Sequence, residues 1–266
     1  MSETLKIVNS ENVLTKMKEG KRLDNRGLLD YRNLEIKVGN VNSADGSSWV
    51  KLGNTEVVCG IKFTIGAPYP DSPDEGSMSL NLELTGISSP DFNTGPPQLD
   101  ALEYGRVADR AIRHSEAINF KELCIVPGEK SFVMFLDCYA INADGNLIDA
   151  TEIAALAALH NVRIPKLDEN NAIVPHEYEK GLTLNTFPLS FTFEKVGDKI
   201  VLDATDVEEF ASSTRFSLGI YKNKILSCHK SKGGIFTENE INQMIDIAKN
   251  KYNEIEKKIK DAIKEE

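Results

Sequence analysis

Long apolar runs are missing from this chain. No stretch approaches the ~18 consecutive apolar residues that a membrane-spanning helix needs. Cysteine is sparse, with Cys59, Cys124, Cys138 and Cys228 the full set, and no two are spaced as CxxC. His114, His160, His176 and His229 do not gather around them, so the spacing offers no zinc site. Three of the four cysteines lie in apolar strand-like runs and read as buried, reduced thiols. Positive charge is also in short supply. There are 41 acidic against 31 basic side chains, a formal charge of −10, which argues against a protein whose whole surface binds polyanions. Any nucleic-acid contact has to come from a local basic patch. No GxGxxG, P-loop, GxSxG or HExxH motif occurs. The opening MSETLKIVNSENV lacks the charged-then-apolar pattern of a secretion signal, so the expected compartment is the cytoplasm, with no membrane partner.

What remains is ordinary globular composition, 41% apolar and 27% charged over 266 residues, enough to bury a core without staples. Val13, Leu14 and Met17 predict a helix over 8–20, stopped at Gly20. Leu34, Ile36 and Val38 alternate as in a strand, and two more strand-like runs, Trp49–Leu52 and Thr55–Thr64, flank a Gly53-Asn54 hairpin turn. Leu80, Leu82 and Leu84 alternate again, between a proline-rich loop at 65–76 and a second loop at 88–98. A helix is predicted from Leu99 to about Ala117, a strand over Ser131–Ile141, and an Ala/Leu helix over Ala150–His160, with Asp149 and Glu152 as its capping pair. Strands are expected at Leu182–Phe193, Ile200–Ala204, Arg215–Tyr221 and Lys224–Cys228. A last helix opens on Thr237 and Glu240, with an apolar stripe from Ile241 to Ile259. Its many lysines alternate with acids and read as a solvated face rather than an RNA site. The order predicts one mixed α+β unit, without strict βαβ alternation, linker or repeat.

Two constellations could carry chemistry. Arg106, Arg110 and Arg113, at i, i+4 and i+7, put three guanidiniums on one helical face, a row suited to a phosphodiester backbone. The competing reading is a solvated face in which Glu103, Asp109 and Glu116 pair them. The acidic run Asp203, Asp206, Glu208, Glu209 could hold Mg²⁺, but such a run is more often a solvated loop, and that is the reading its spacing favours.

Several short motifs, in order, resemble the RNase PH family. Arg22-Leu23-Asp24-Asn25-Arg26 is similar to its RxDGR entry motif, with Asn25 for Gly. Gly46-Ser47-Ser48 followed by Val50, Gly53, Thr55 and Val57 resembles its GS…G-T-V hairpin, and the arginine helix matches in spacing. Within the family the chain resembles the non-catalytic subunit of the archaeal exosome. The resemblance implies a single RNase PH-like α+β domain over 1–266. It would comprise two βαβα-type halves, about 30–165 and about 180–266, with mixed sheets and packed helices, closing in sixes into a ring. The family reaction is phosphorolysis of an RNA 3′ end. It needs donors for phosphate, arginines for RNA, and a carboxylate pair for acid catalysis or Mg²⁺.

The chain departs from the active pattern at each of these. Where active members carry a Gly-Gly-Thr-Arg-Thr type loop, it has Gly145-Asn146-Leu147-Ile148-Asp149. Leu147 and Ile148 cannot donate, and a carboxylate at Asp149 facing phosphate at ~4 Å would be repelled by about 4 kcal/mol at an effective dielectric near 20. Glu209 matches the first of two aspartates six residues apart, but the second position is Arg215. The loop SSPDFNTGPP before the arginine helix has no basic residue. These departures imply no catalytic residue, no cofactor and no metal in this chain. The expected role is to order the active site of a catalytic RNase PH-like partner in a 3+3 ring, with cap subunits, and to help hold single-stranded RNA through Arg106, Arg110 and Arg113. The partner would use inorganic phosphate and Mg²⁺. The alternatives are a self-sufficient homohexameric phosphorolytic nuclease and a scaffold that never touches RNA.

Overall fold

The computed structural model describes residues 3–92 and 95–264. Its first helix, α1 (Glu3–Lys18), starts earlier than the apolar stripe suggests. Gly20 does end it: at φ +71° it lets its own N–H reach Met17 O and the Lys21 N–H reach Lys16 O, each at 3.0 Å, which closes the last turn. Val13 and Met17 pack into a small core of their own with Val196, Val201 and Ala204.

The first sheet has six strands: β1 (Leu34–Val38), β2 (Gly46–Leu52), β3 (Thr55–Gly66), β4 (Ser77–Glu83), β5 (Cys124–Val126) and β6 (Lys130–Asn142), in the order β1-β2-β3-β6-β4 with β5 on β6. All pairings are antiparallel except β4 with β6, whose crossover carries α2 (Leu99–His114). After α3 (Leu147–Asn161) comes a hairpin, β7 (Arg163–Leu167) and β8 (Ile173–Gly181), which the alternation did not reveal. Pro165 and Pro175 interrupt it and its second strand is mostly exposed, so no apolar period forms.

The second sheet follows the order β10-β9-β11-β12, built from β9 (Leu189–Val196), β10 (Lys199–Leu202), β11 (Thr214–Tyr221) and β12 (Lys224–Ser231). The run expected as a strand from Leu182 begins only at Leu189, since Pro188 supplies no ladder N–H. The helix α3 packs on β2, β3 and β9, between the two sheets, and is buried almost all round. One hydrophobic core joins both sheets, α2, α3 and the C-terminal α5 (Glu238–Lys264). The Thr237–Glu240 capping box at α5 forms as expected, and Lys258–Glu254 and Lys260–Glu256 pairs lace its outer face. Cys59 and Cys138 are buried opposite each other in β3 and β6, whereas Cys124 is half-buried and Cys228 is exposed on β12. No described helix is long and apolar enough to cross a membrane.

Candidate functional site

The acidic run is not a solvated loop. Asp203 and Glu208 are fully buried, and residues 206–211 form a short helix, α4 (Asp206–Ala211). Thr205 and Glu208 close a capping box there, with the Thr205 N–H donating to Glu208 Oε2 at 2.9 Å. The segment after α1 is bound to this unit by three arginines. Arg22, 1% exposed, donates to the Glu208 carboxylate and to the carbonyls of Leu202 and Asp203. Arg26 and Arg32 both reach the Asp203 carboxylate, Arg32 through a fork at 2.7 and 2.9 Å. Asn25 stands at φ 62°, a backbone that Gly adopts freely and Asn tolerates, so the turn of the entry motif survives the exchange.

The start of α3 meets this network. Gly145 has φ +78°, and a Cβ there would sit 2.4 Å from Ala204 O, so only glycine lets the loop lie against β10's exit. Asn146 follows in the left-handed region at φ 51°. Its side-chain amide donates to Asp149 at 3.0 Å and Asp203 at 2.9 Å, and its backbone N–H donates to Glu209 Oε1 at 2.8 Å. Leu147, Ile148 and Asp149 are then the first turn of α3, not a loop.

This overturns two expectations. Asn146, not an Asp149–Glu152 pair, is the N-terminal cap residue, and both carboxyls are fully buried inside the helix. Nor does Asp149 face a phosphate seat. It points inward, accepting from Tyr31 Oη at 2.7 Å and from the Thr192 hydroxyl at 2.7 Å, and burial pushes its pKa up to about 6. The repulsion expected from a carboxylate facing phosphate therefore has no counterpart at Asp149. A helix N-terminus favours an anion, and here one of its N–H groups is already taken by the chain's own Glu209.

Glu209 belongs to a closed ion cluster. Its other oxygen lies 3.1 Å from Arg215 Nη2, while Arg215 Nε donates to Glu194 on β9. Lys232 reaches Glu194 at 3.1 Å and the Glu209 carbonyl at 2.6 Å. Two carboxylates thus face two cations. Glu209 and Glu194 together hold Arg215 charged, and Tyr104, whose ring lies 5.1 Å from its guanidinium, adds to this. Burial and the nearby Glu209 push the Tyr104 phenol upward in turn. These donors do not fit Mg²⁺, because each carboxylate is spent on an internal cation. Among the described residues no group of three or more His, Cys, Asp or Glu is placed to hold a metal.

The arginine row sits elsewhere. The helix α2 buries Ala101, Gly105, Val107, Ala108, Ala111 and Ile112, and leaves Arg106, Arg110 and Arg113 exposed. Of the acids proposed to pair them, Glu103 instead meets His229 at 3.2 Å, and Asp109 holds Arg113 at 2.8 Å. Arg113 also donates to Met78 O at 2.9 Å. Among the described residues, Arg106 and Arg110 have neither a carboxylate partner nor a hydrogen bond, so two of the three guanidiniums are free.

The two features do not converge within the chain. Asp100 and Tyr104 face a cavity of about 230 Å³ with Leu147, Glu209, Arg215 and Lys232. Arg106, Asp109 and Arg113 line a different groove of about 310 Å³, on the flank of α2 beside β4. Sequence reasoning missed Glu194 and Lys232, which complete the ion cluster, because each sits in another element with no local motif.

The two-sheet fold agrees with the comparisons to known proteins. The 3′ exoribonuclease family, domain 1, matches residues 30–165, and domain 2 of the same family matches residues 186–251. The chain belongs to this family, the RNase PH family. It is 41% identical over 266 residues to the exosome complex component Rrp42 of Thermococcus onnurineus, covering 98% of this chain and 97% of that one. It is 40% identical over 258 residues to the protein of the same name from Pyrococcus horikoshii, covering 96% and 94%. Among solved structures it superposes on a chain of the Archaeoglobus fulgidus exosome with RNA bound to the active site, with a TM-score of 0.89, 34% identity and coverage of 96% and 99%. A chain of an archaeal exosome core gives a TM-score of 0.86 at 33% identity, covering 97% and 98%.

Proposed function

We propose that this chain is a non-catalytic subunit of an archaeal exosome ring, working beside a catalytic RNase PH-like subunit that degrades RNA 3′ to 5′ by phosphorolysis. One observation carries the reading: Arg215 and Glu209, at the positions where active members place two aspartates, are paired to each other at 3.1 Å. With that pair closed and the α3 N-terminus engaged by Glu209, this chain offers neither an acid nor a phosphate seat. What it does offer is Arg106 and Arg110, exposed on α2 and without a carboxylate partner among the described residues. Guanidiniums so placed serve a neighbour. They hold the backbone of single-stranded RNA entering the partner's active site, or order that site, with contacts that are salt-sensitive and weakly selective for sequence.

The ring would alternate three copies of this chain with three of the partner, carry RNA-binding cap subunits, and work in the cytoplasm. Inorganic phosphate and Mg²⁺ would be requirements of the partner. The test is phosphate-dependent release of nucleoside diphosphates from RNA by this chain alone and mixed with the partner. Activity is expected only in the mixture, and robust turnover by this chain alone would overturn the proposal in favour of a self-sufficient nuclease. In the assembled ring, Arg110→Glu should weaken RNA binding and reduce its salt dependence by about one counterion. Unchanged affinity would favour a scaffold that never touches RNA.

A further inference from the structure

Helices of this chain pair acids with cations one turn further on. Asp109 holds Arg113 at 2.8 Å on α2, and on α5 Glu254 and Glu256 hold Lys258 and Lys260. Glu103 stands three residues before Arg106, with the acid on the N-terminal side as such pairs prefer. Helical side chains also lean toward the N-terminus, which brings a cation at that spacing back over the acid. Yet Glu103 leaves Arg106 alone and turns to His229, whose Nε2 lies 3.2 Å from its Oε1. A carboxylate only accepts, so this nitrogen carries the proton.

The contact between α2 and the second sheet creates this exception. Gly219 on β11 lets the helix in, since a Cβ there would stand 3.1 Å from that of Ala111. Ser227 on β12 pairs with Gly219, and His229 lies two residues on, on the same face of the strand. A second tie, His114 Nδ1 with Leu226 O at 3.4 Å, sets α2 along β12. The Glu103 and His229 side chains, each 30% exposed, meet at the rim of this contact. Two more carboxylates line the groove beside Arg106: Asp109, engaged by Arg113, and Glu83, on β4.

We infer that His229 is a positioning residue for the RNA contact. By holding Glu103 against β12, it keeps that carboxylate from neutralising Arg106 and from repelling the phosphate that Arg106 and Arg110 would receive. The inference rests on the RNA reading above and adds what keeps the guanidinium free.

The test titrates the assembled ring, catalytic subunit included and inorganic phosphate left out, with a fluorescein-labelled single-stranded oligoribonucleotide. Low salt is used, where exposed charges are least screened. His229→Ala should weaken binding about twofold, the worth of one exposed ion pair at helical spacing. His229→Gln, whose side-chain amide can still donate to Glu103, should bind as the parent does. In a Glu103→Gln background His229→Ala should change nothing, because no carboxylate is left to release. A purely structural role for His229 would give the same loss in both backgrounds. That result, or an unchanged affinity of His229→Ala in the parent background, overturns the inference while Arg110→Glu still weakens binding. If Arg110→Glu has no effect, the RNA reading falls and the positioning role with it.

Discussion

Glu152 gives the sharpest physical test of the fold. It lies in the middle of α3, fully buried, and neither carboxyl oxygen reaches a hydrogen-bond partner, although Ser190 on β9 lies beside it. Burial, with the nearby charge of Asp149 adding to it, pushes its pKa from 4.5 to about 8. The folded chain therefore holds a proton that the unfolded chain releases above pH 4.5. Below that pH both states are protonated and Glu152 costs nothing. Between pH 4.5 and 8 stability falls by about 1.4 kcal/mol per pH unit, which makes about 3 kcal/mol at pH 7, and above pH 8 the loss levels off. Glu152→Gln is neutral at every pH and escapes this loss. Its buried amide brings a cost of about 1–3 kcal/mol for unmet hydrogen bonds, but that cost does not depend on pH. The measurement is urea unfolding of both proteins from pH 5 to 8.5. The variant should gain on the parent by about 1.4 kcal/mol per pH unit up to pH 8 and hold that gain beyond it. Asp149 is present in both proteins and largely cancels. A difference that stays flat across the range would show that Glu152 is solvated or paired in solution, and the buried-acid reasoning would fail.

Other perturbations follow from the same network. Arg22→Ala should cost about 3–5 kcal/mol in chemical unfolding, because it leaves Glu208 buried and uncompensated. Gly145→Ala should destabilise by several kcal/mol in thermal melts, since its Cβ would meet Ala204 O at 2.4 Å at φ +78°; a loss under ~1 kcal/mol would refute that close approach. Arg215→Met should lower stability by about 3–5 kcal/mol by stranding Glu194 and Glu209, and should restore no phosphorolysis to the isolated chain in a nucleoside diphosphate assay.

The parts of the fold that the sequence makes legible are those governed by local rules. The Gly53-Asn54 hairpin, the alternation in β1 and β3, the stripe of α5 and its capping box all depend on neighbours a few residues apart, and all are found. What escaped depends on distant partners. The run at 203–209 looks solvated because four acids lie close together, yet Asp203 and Glu208 are buried by Arg22, Arg26 and Arg32, some 170 to 186 positions away. One local signal was available there, since Thr205-Asp206-Val207-Glu208 is a capping box and predicts α4. The arginine row was visible as a face but not as free or paired. That depended on Glu103 turning to His229 on β12, which no spacing reveals.

The orientation of Asp149 changes the physical account of the phosphate seat expected at the start of α3. A carboxylate facing the seat would act by repulsion, and removing it would reopen the site. Here Asp149 is spent inside on Tyr31, Asn146 and Thr192, while Glu209 bonds the α3 N-terminus and Arg215 bridges Glu209 to Glu194. The carboxylates of Asp149, Glu194 and Glu209 are each satisfied by other groups of the same chain. Opening such a site by a single substitution leaves a buried charge without its partner, a cost of several kcal/mol, before any ligand can be bound. Arg106 and Arg110, exposed on α2, bear no such constraint, so the RNA contact proposed for them would leave the core undisturbed.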